Sequence, residues 1–229
     1  NLLGQEYQIV MPYKVVKVED GYTVRNKAIQ VTNDTTVETN EVSNPLKPVN
    51  PAKDVTVKVG GESIDGRSVY KDRTFLYQLD SSVIPADRAY PQVSQWKIVD
   101  PLNTEFDQYT GQWAVYATRD LYSDKLAGNG FDSSKLGGEL FTATADANGQ
   151  VAIEATEAYR TLVSADNTHE NGWRAYIQCK RLKVSERVEN QFTEQFNDKE
   201  FQSNIVWTRT PDMTPSIHIE KYDVASGEQ

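Results

Sequence analysis

Cysteine is almost missing. Cys179 is alone in 229 residues, so no internal disulfide can staple the chain. It lies in Tyr176-Ile177-Gln178-Cys179-Lys180 and reads as a small strand residue, because a catalytic thiol needs an imidazole beside it and the chain has only His169 and His218. Neither a Gly-x-Ser-x-Gly elbow nor a His-Glu-x-x-His helix occurs, and no carboxylate pair is marked out for acid–base work, so an enzyme is not expected. No apolar run approaches the roughly 18 residues of a membrane span, and the mean hydropathy is −0.62. With no leader pattern at its start, the chain reads as a soluble mature segment with no membrane insertion. Basic residues are also in deficit: 24 Lys and Arg against 33 Asp and Glu leave a net charge of −9, which argues against nucleic acid as a partner.

What is present suits strands and turns. Twelve Tyr, with abundant Thr and Val, favour strands, and frequent Asn, Asp and Gly favour turns. Strands are expected at Val55–Val59, Thr74–Leu79, Gln95–Asp100, Trp113–Thr118, Leu140–Thr144, Val151–Glu154, Trp173–Lys183, Asn190–Phe196 and Phe201–Thr208. Asp146-Ala147-Asn148-Gly149 supplies a hairpin turn. Thr156–Val163 has helical spacing with Thr156 as its cap, so a short helix should cross one edge. The fold class this indicates is all-β, an immunoglobulin-like β-sandwich with a short crossing helix.

An internal repeat organises the chain. Shifted by 164 positions, Val24, Asn26, Asn33, Asp34, Asn40 and Val42 fall on Val188, Asn190, Asn197, Asp198, Asn204 and Val206, six identities in a window of 19. Residues 1–47, with strands at Tyr7–Val10 and Tyr13–Val18, a turn at Glu19–Gly21 and further strands through Asn44, therefore read as the last strands and linker of a preceding domain. Residues 48–212 would be a complete copy. A proline-rich linker, Asn44–Pro51, separates them, and the same event recurs at Thr210–Pro215. Beyond it Ile217, Ile219 and Lys221 share one strand phase, so 213–229 reads as the start of a following domain or a tail.

Three strands put polar residues where apolar ones belong. Side chains two apart share a face of a strand, so Lys53 points with Val55, Val57 and Val59, and Asp100 points with Trp96 and Ile98. In Ser203–Thr208 either phase could be buried; Asn204 shares its phase with Val206, and in the repeat Glu41, opposite Asn40 and Val42, prefers water. Lysine, carboxylate and asparagine from a first, a middle and a last strand are the parts of a self-forming isopeptide bond. Burial disfavours the ammonium and makes the neutral amine of Lys53 accessible. Asp100 then relays protons as the amine attacks the Asn204 carboxamide and ammonia leaves, in a single turnover. The competing readings are a lysine that snorkels to solvent, a buried Lys53–Asp100 ion pair, and a link made instead by Lys58 on the opposite phase. Asn40 should stay an ordinary amide.

Other chemistry is less marked. Asp100, Asn103, Glu105 and Asp107 crowd one loop, and Asp120, Asp124 and Asp132 another; calcium takes oxygen ligands from such loops, although no twelve-residue ligand pattern is complete and solvated turns explain them equally. No cofactor is required. The loops Asn103–Gly111 and Leu121–Gly138 are the candidate contacts of a ligand-binding module for a protein or glycan, with Tyr109, Trp113 and Tyr122 as exposed aromatics or, alternatively, packed sandwich aromatics.

Lys53–Gly60, Ser63-Ile64-Asp65-Gly66, Ser81–Ala86, Asp107-Gln108-Tyr109-Thr110-Gly111-Gln112-Trp113 and Ser203–Pro211 together resemble the C-terminal domains of the streptococcal antigen I/II family of cell-wall adhesins. The resemblance covers most of residues 48–212, and the Asp-Gln-Tyr-Thr-Gly-x-Trp run is its most specific part. It implies a DE-variant immunoglobulin fold with a lysine–asparagine isopeptide bond, in which Lys53, Asp100 and Asn204 fill the three roles. It also implies an extracellular, cell-surface location on a wall-anchored Gram-positive parent, a stalk that projects an adhesive head, and host or bacterial surface proteins or glycans as partners. In the family a sorting motif follows the last domain, whereas Ile217 onward looks like a further domain; this points to a related adhesin with a different array, such as an aggregation-type surface protein.

Overall fold

The computed structural model describes residues 8–14, 16, 23–45, 50–89, 91–117 and 140–213. They fall into two units, Asn1–Val49 and Asn50–Gln229. In the first, β1 (Thr23–Asn26) pairs with β4 (Val42–Pro45), and β2 (Ile29–Thr32) with β3 (Thr35–Glu38) across a turn whose Asn33 has φ of 52°. Residues 8–14 and 16 form no strand, contrary to the expectation at Tyr7–Val10 and Tyr13–Val18. With Ile9 82% exposed, their apolar side chains cover no sheet among the described residues. The turn at Glu19–Gly21 and the tail from Thr214, Ile217 to Lys221 included, lie outside the described residues.

In the second unit, β5 (Ala52–Thr56), β6 (Thr74–Asp80), β7 (Trp96–Pro101), β8 (Asp107–Ala117), β9 (Phe141–Ala145) and β10 (Gln150–Ala155) precede α1 (Glu157–Ala165). After the helix come β11 (Trp173–Arg181), β12 (Ser185–Asn190), β13 (Thr193–Phe196), β14 (Lys199–Gln202) and β15 (Val206–Thr210). One sheet has the order β5-β6-β11-β8, the other β14-β13-β7-β10-β9, and β12 pairs with β15. Trp96, Ile98, Val151 and Ile153 of one sheet and Val55, Tyr77, Val115 and Ile177 of the other share a single core, so the architecture is an immunoglobulin-like sandwich. Asp146 Oδ1 accepts from the backbone of Asn148 and Gln150, and Gly149 takes φ of 82°, closing the expected β9–β10 hairpin. Thr156 is the N-cap residue of α1 but caps through position rather than its side chain, and the helix buries Tyr159 and Val163.

Two strands are shorter than their sequences suggest. β5 stops at Thr56 because the chain turns at Lys58, whose carbonyl accepts from Gly61, so Val57 is 63% exposed and Lys58 is on the surface. The expected strand Phe201–Thr208 is broken, and Asn204 lies in the break. There Ser203 donates its N–H to the Phe192 carbonyl at 3.1 Å, Phe192 donates to Ser203 Oγ at 3.1 Å, and Ser203 Oγ donates to the Asn204 carbonyl at 2.9 Å. This corner lets one long hairpin serve two sheets, its base as β12 and β15 and its tip as β13 and β14.

Candidate functional site: a buried lysine–aspartate pair between the first and last strands

Proline at 51 leads the chain into β5, and the strand alternation turns Lys53 and Val55 inward. The Lys53 ammonium meets Asp100 Oδ2, and both side chains are wholly shielded from solvent. Around them are the Tyr77 ring, 4.4 Å from the Lys53 nitrogen to its centroid, and the Phe192 ring at 5.5 Å. Burial pulls the Lys53 pKa down, against the opposing pull of Asp100. The position thus excludes both the snorkelling reading and Lys58, which is exposed.

The third group is placed differently from the sequence expectation. Asn204 is exposed, and its carboxamide is spent on the Lys53 backbone: Oδ1 accepts from the Lys53 N–H at 2.8 Å and Nδ2 donates to the Lys53 carbonyl at 3.0 Å. The reason is that the inward phase of β15 starts only at Val206 and continues through Thr208 and Thr210. A different asparagine is buried. Asn190, the last residue of β12, has no hydrogen-bond partner among the described residues on either amide atom, and neither has Asp100 Oδ1. Asn190 follows Val188 and precedes Phe192 on the buried phase, and Thr193 pairs with Val99 of β7, so Asn190, Phe192 and Asp100 come to the same end of the sandwich. Asn190 and Pro101, beside Asp100, also line one cleft. An unpaired buried carboxamide costs about 1–3 kcal/mol per group left unsatisfied, and here it sits in company with an unpaired carboxylate oxygen.

Two further buried polar clusters escaped the sequence reading. Arg181 donates to Asp107 Oδ1 at 2.7 Å, to Thr210 Oγ1 at 2.8 Å and to Thr208 Oγ1 at 2.7 Å, while the Tyr77 hydroxyl donates to Asp107 Oδ2 at 2.8 Å. Burial pushes the Asp107 carboxyl up, opposed chiefly by Arg181. The available signal was that Arg181 continues the inward phase of Ala175, Ile177 and Cys179. Glu194, likewise raised by burial, accepts from the Ser82 N–H at 3.0 Å, from Trp96 Nε1 at 2.8 Å and from the Ser82 hydroxyl.

In the first acidic loop the candidate oxygen ligands already have protein partners. Asp100 and Asp107 hold Lys53 and Arg181, Glu105 meets Lys183 at 3.1 Å, Asn103 Oδ1 accepts from the Glu105 N–H, and no group of three or more His, Cys, Asp or Glu converges among the described residues. Asp120, Asp124, Asp132 and Tyr122 lie outside the described residues. Trp113 is buried and Tyr109 packs against the core, so neither forms an exposed platform.

Fold and site together define an immunoglobulin-like sandwich whose first strand is tied by buried polar groups to the middle of the opposite sheet. Comparison with known proteins agrees: residues 50–211 match the family described as cell surface antigen C-terminus, and residues 1–46 match the cell surface antigen I/II C2 terminal domain. The chain belongs to the cell surface antigen I/II family, and its place is extracellular, at the cell surface. An Enterococcus faecalis aggregation substance is 36% identical over 217 residues, 91% of this chain but only 16% of that protein. The C-terminal domain of the Streptococcus pyogenes antigen I/II-family protein AspA superposes with a TM-score of 0.69 at 26% identity, covering 82% of this chain and 55% of that one. The C-terminal domain of the Streptococcus agalactiae polypeptide BspA shares the fold, with a TM-score of 0.66 at 22% identity over 83% of this chain and 59% of that one.

Proposed function

We propose that residues 48–212 form a load-bearing stalk domain of a bacterial surface adhesin, closed by an isopeptide bond between Lys53 and Asn190 that Asp100 helps to form. The observation that carries this reading is a buried amine, a buried carboxylate and a buried, unpartnered carboxamide at one end of the sandwich. In the reaction the Lys53 ammonium gives a proton to Asp100, and the neutral amine attacks Cγ of Asn190. Asp100 protonates the carboxamide oxygen and then passes the proton of the new N–C bond to the departing nitrogen. One C–N bond forms and one breaks; as the carbonyl re-forms, the proton on its oxygen returns through Asp100 to the departing nitrogen, which leaves as ammonium, that is, ammonia with the proton Lys53 brought, and Asp100 is returned as it began. The product joins the first strand of the domain to the hairpin that ends it, so tension applied at the two ends loads a covalent bond.

Residues 1–47 are read as the last strands of a preceding domain with its linker, and 213–229 as the start of a following one or a tail. The match of strand registers across the 164-residue shift supports the first of these assignments. As a member of an array, the domain would present a distal head to host or bacterial surface proteins or glycans. Intact-mass measurement of the denatured chain tests the crosslink: the chain should be lighter than its sequence by one ammonia, with Lys53 joined to Asn190 in peptide maps. Asp100→Ala should restore the full mass while the domain still folds. A full mass in the unaltered chain sinks the reading, and a Lys53–Asn204 peptide would move the acyl group to the other asparagine.

A further inference from the structure

We infer that Asn204 is a positioning residue for the Lys53–Asn190 reaction, and this rests on the reading just given. The N–H and C=O of one strand residue point to the same side. β5 pairs on one side with β6, Lys53 opposite Leu79, and on the other side both backbone groups of Lys53 are taken by the single carboxamide of Asn204. A carboxamide carries an acceptor and a donor in one plane, so the side chain stands in for one rung of a neighbouring strand. Two bonds from one planar group to one residue fix the position of β5 along its own axis as well as its distance. A slip of one residue would turn Lys53 to the opposite face and away from Asp100.

The clasp is connected to the strand that holds the other reactant. Asn204 follows Ser203, which is bonded in both directions to Phe192, and Phe192 lies two residues from Asn190. The nucleophile strand and the electrophile strand are therefore indexed to one another through Phe192, Ser203 and Asn204. The corner is also preformed. At a shift of 164, Thr39 donates its N–H to the Ala28 carbonyl at 2.9 Å, Ala28 donates to Thr39 Oγ1 at 2.9 Å, and Thr39 Oγ1 donates to the Asn40 carbonyl at 3.0 Å, with no counterpart of β5 paired there among the described residues. Hairpin and corner thus assemble from local sequence, and Asn204 waits as a template for the first strand. Reaction rates fall steeply when reacting groups are misplaced by about 1 Å, which is how a group that touches neither reacting atom changes the rate.

The test uses the whole chain recovered unreacted from inclusion bodies in guanidinium, its full mass verified, and folded by dilution. Tryptophan fluorescence follows folding, and intact mass follows ammonia loss in the folded fraction. Asn204→Ala should fold and still link Lys53 to Asn190, but about tenfold more slowly per folded molecule. Asn204→Asp keeps the acceptor for the Lys53 N–H and loses the donor to its carbonyl, so it should react at an intermediate rate even if the alanine variant folds poorly. A merely structural role would lower the melting temperature of both variants in a Lys53→Ala background and leave the linking rate of the folded fraction at the wild-type value. That rate, or a peptide joining Lys53 to Asn204 itself, overturns the inference while leaving the crosslink standing; absence of ammonia loss in the wild-type chain removes both.

Discussion

Residues 23–45 and 187–209 are built alike and buried differently. Asn26 faces Val42 as Asn190 faces Val206, Ile29 faces Glu38 as Thr193 faces Gln202, and the turn residues Asn33 and Asn197 share φ values of 52° and 51°. Yet Val24 and Val42 are 38% and 50% exposed, while Val188 and Val206 are 2% and 1% exposed. Register and corner are thus written in local sequence, by turn geometry and side-chain-to-backbone bonds. Burial is not local: it needs the facing sheet, which 52–181 supplies to the second copy. The chemistry follows burial, because an exposed asparagine is only an amide.

The largest expected effect tests that difference directly. Asn190→Ala should abolish ammonia loss and lower the melting temperature, whereas Asn26→Ala, at the equivalent position, should change neither. The link closes a loop from 53 to 190, and 190 − 53 = 137 residues; by the entropy relation used for disulfides this contributes up to about 5 kcal/mol. Next comes the noncovalent tie. Arg181 holds β15 through Thr208 and Thr210, and Arg181→Met would leave Asp107 buried without its cation, at a cost of about 3–5 kcal/mol in urea unfolding. Exchanging Asp107 for a leucine in that variant should recover much of the loss, since a buried pair is replaced by apolar volume. If Arg181→Met alone costs little, the clamp on the last strand is not what separates the two copies.

Much of this was legible in the sequence. Alternation along Trp96–Asp100 and around Lys53 gave the inward charges, because a period of two has few alternative solutions when one face is apolar. Asn190 stands in the sequence as half of a repeated pair with Asn26, but Phe201–Thr208 reads as one strand, and its alternation singles out Asn204 instead. The break between β14 and β15 is made by bonds from Phe192 to Ser203, eleven residues away in sequence, which no strand pattern reveals. Arg181 and Asp107 were hidden for a related reason: Asp107 reads as part of an acidic loop and Arg181 as one of the charged residues closing the long strand Trp173–Lys183, and only their cross-strand pairing brings them together in the interior.

A smaller effect concerns pH. Burial lowers the Lys53 pKa in the folded chain below its ordinary value of 10.5. In the unlinked Asn190→Ala chain, the unfolded state therefore holds more of the Lys53 proton than the folded state between those two values, so the Lys53 contribution to stability should rise with pH through that window and level off near 10.5, whereas Cys179 and Tyr77, both raised by burial, lower stability with rising pH in linked and unlinked chains alike. The linked chain has no Lys53 amine to titrate, so its stability should lack this rise. Chemical unfolding of both chains across alkaline pH measures the difference. An equal rise in both would mean that Lys53 remains a free amine in the unaltered protein.

The smallest effect separates what the two copies share from what only one has. Asn33 and Asn197 both sit in the left-handed region, where a residue with a Cβ is strained by roughly 1–2 kcal/mol and asparagine is better tolerated than alanine. Alanine should thus weaken either hairpin. Glycine removes that strain, but Asn197 also accepts through Oδ1 from the N–H and hydroxyl of Ser94 and from the N–H of Gln95, and donates to the Gln92 carbonyl, tying the hairpin to the segment that leads into β7. Asn33 has none of these partners among the described residues. Asn33→Gly should therefore leave amide-exchange protection of β2 and β3 unchanged, while Asn197→Gly should still cost about 1–2 kcal/mol for the lost bonds. Equal tolerance of glycine at both turns would mean that the tie to Ser94 and Gln95 contributes nothing, and that the second copy gains its order from the facing sheet alone.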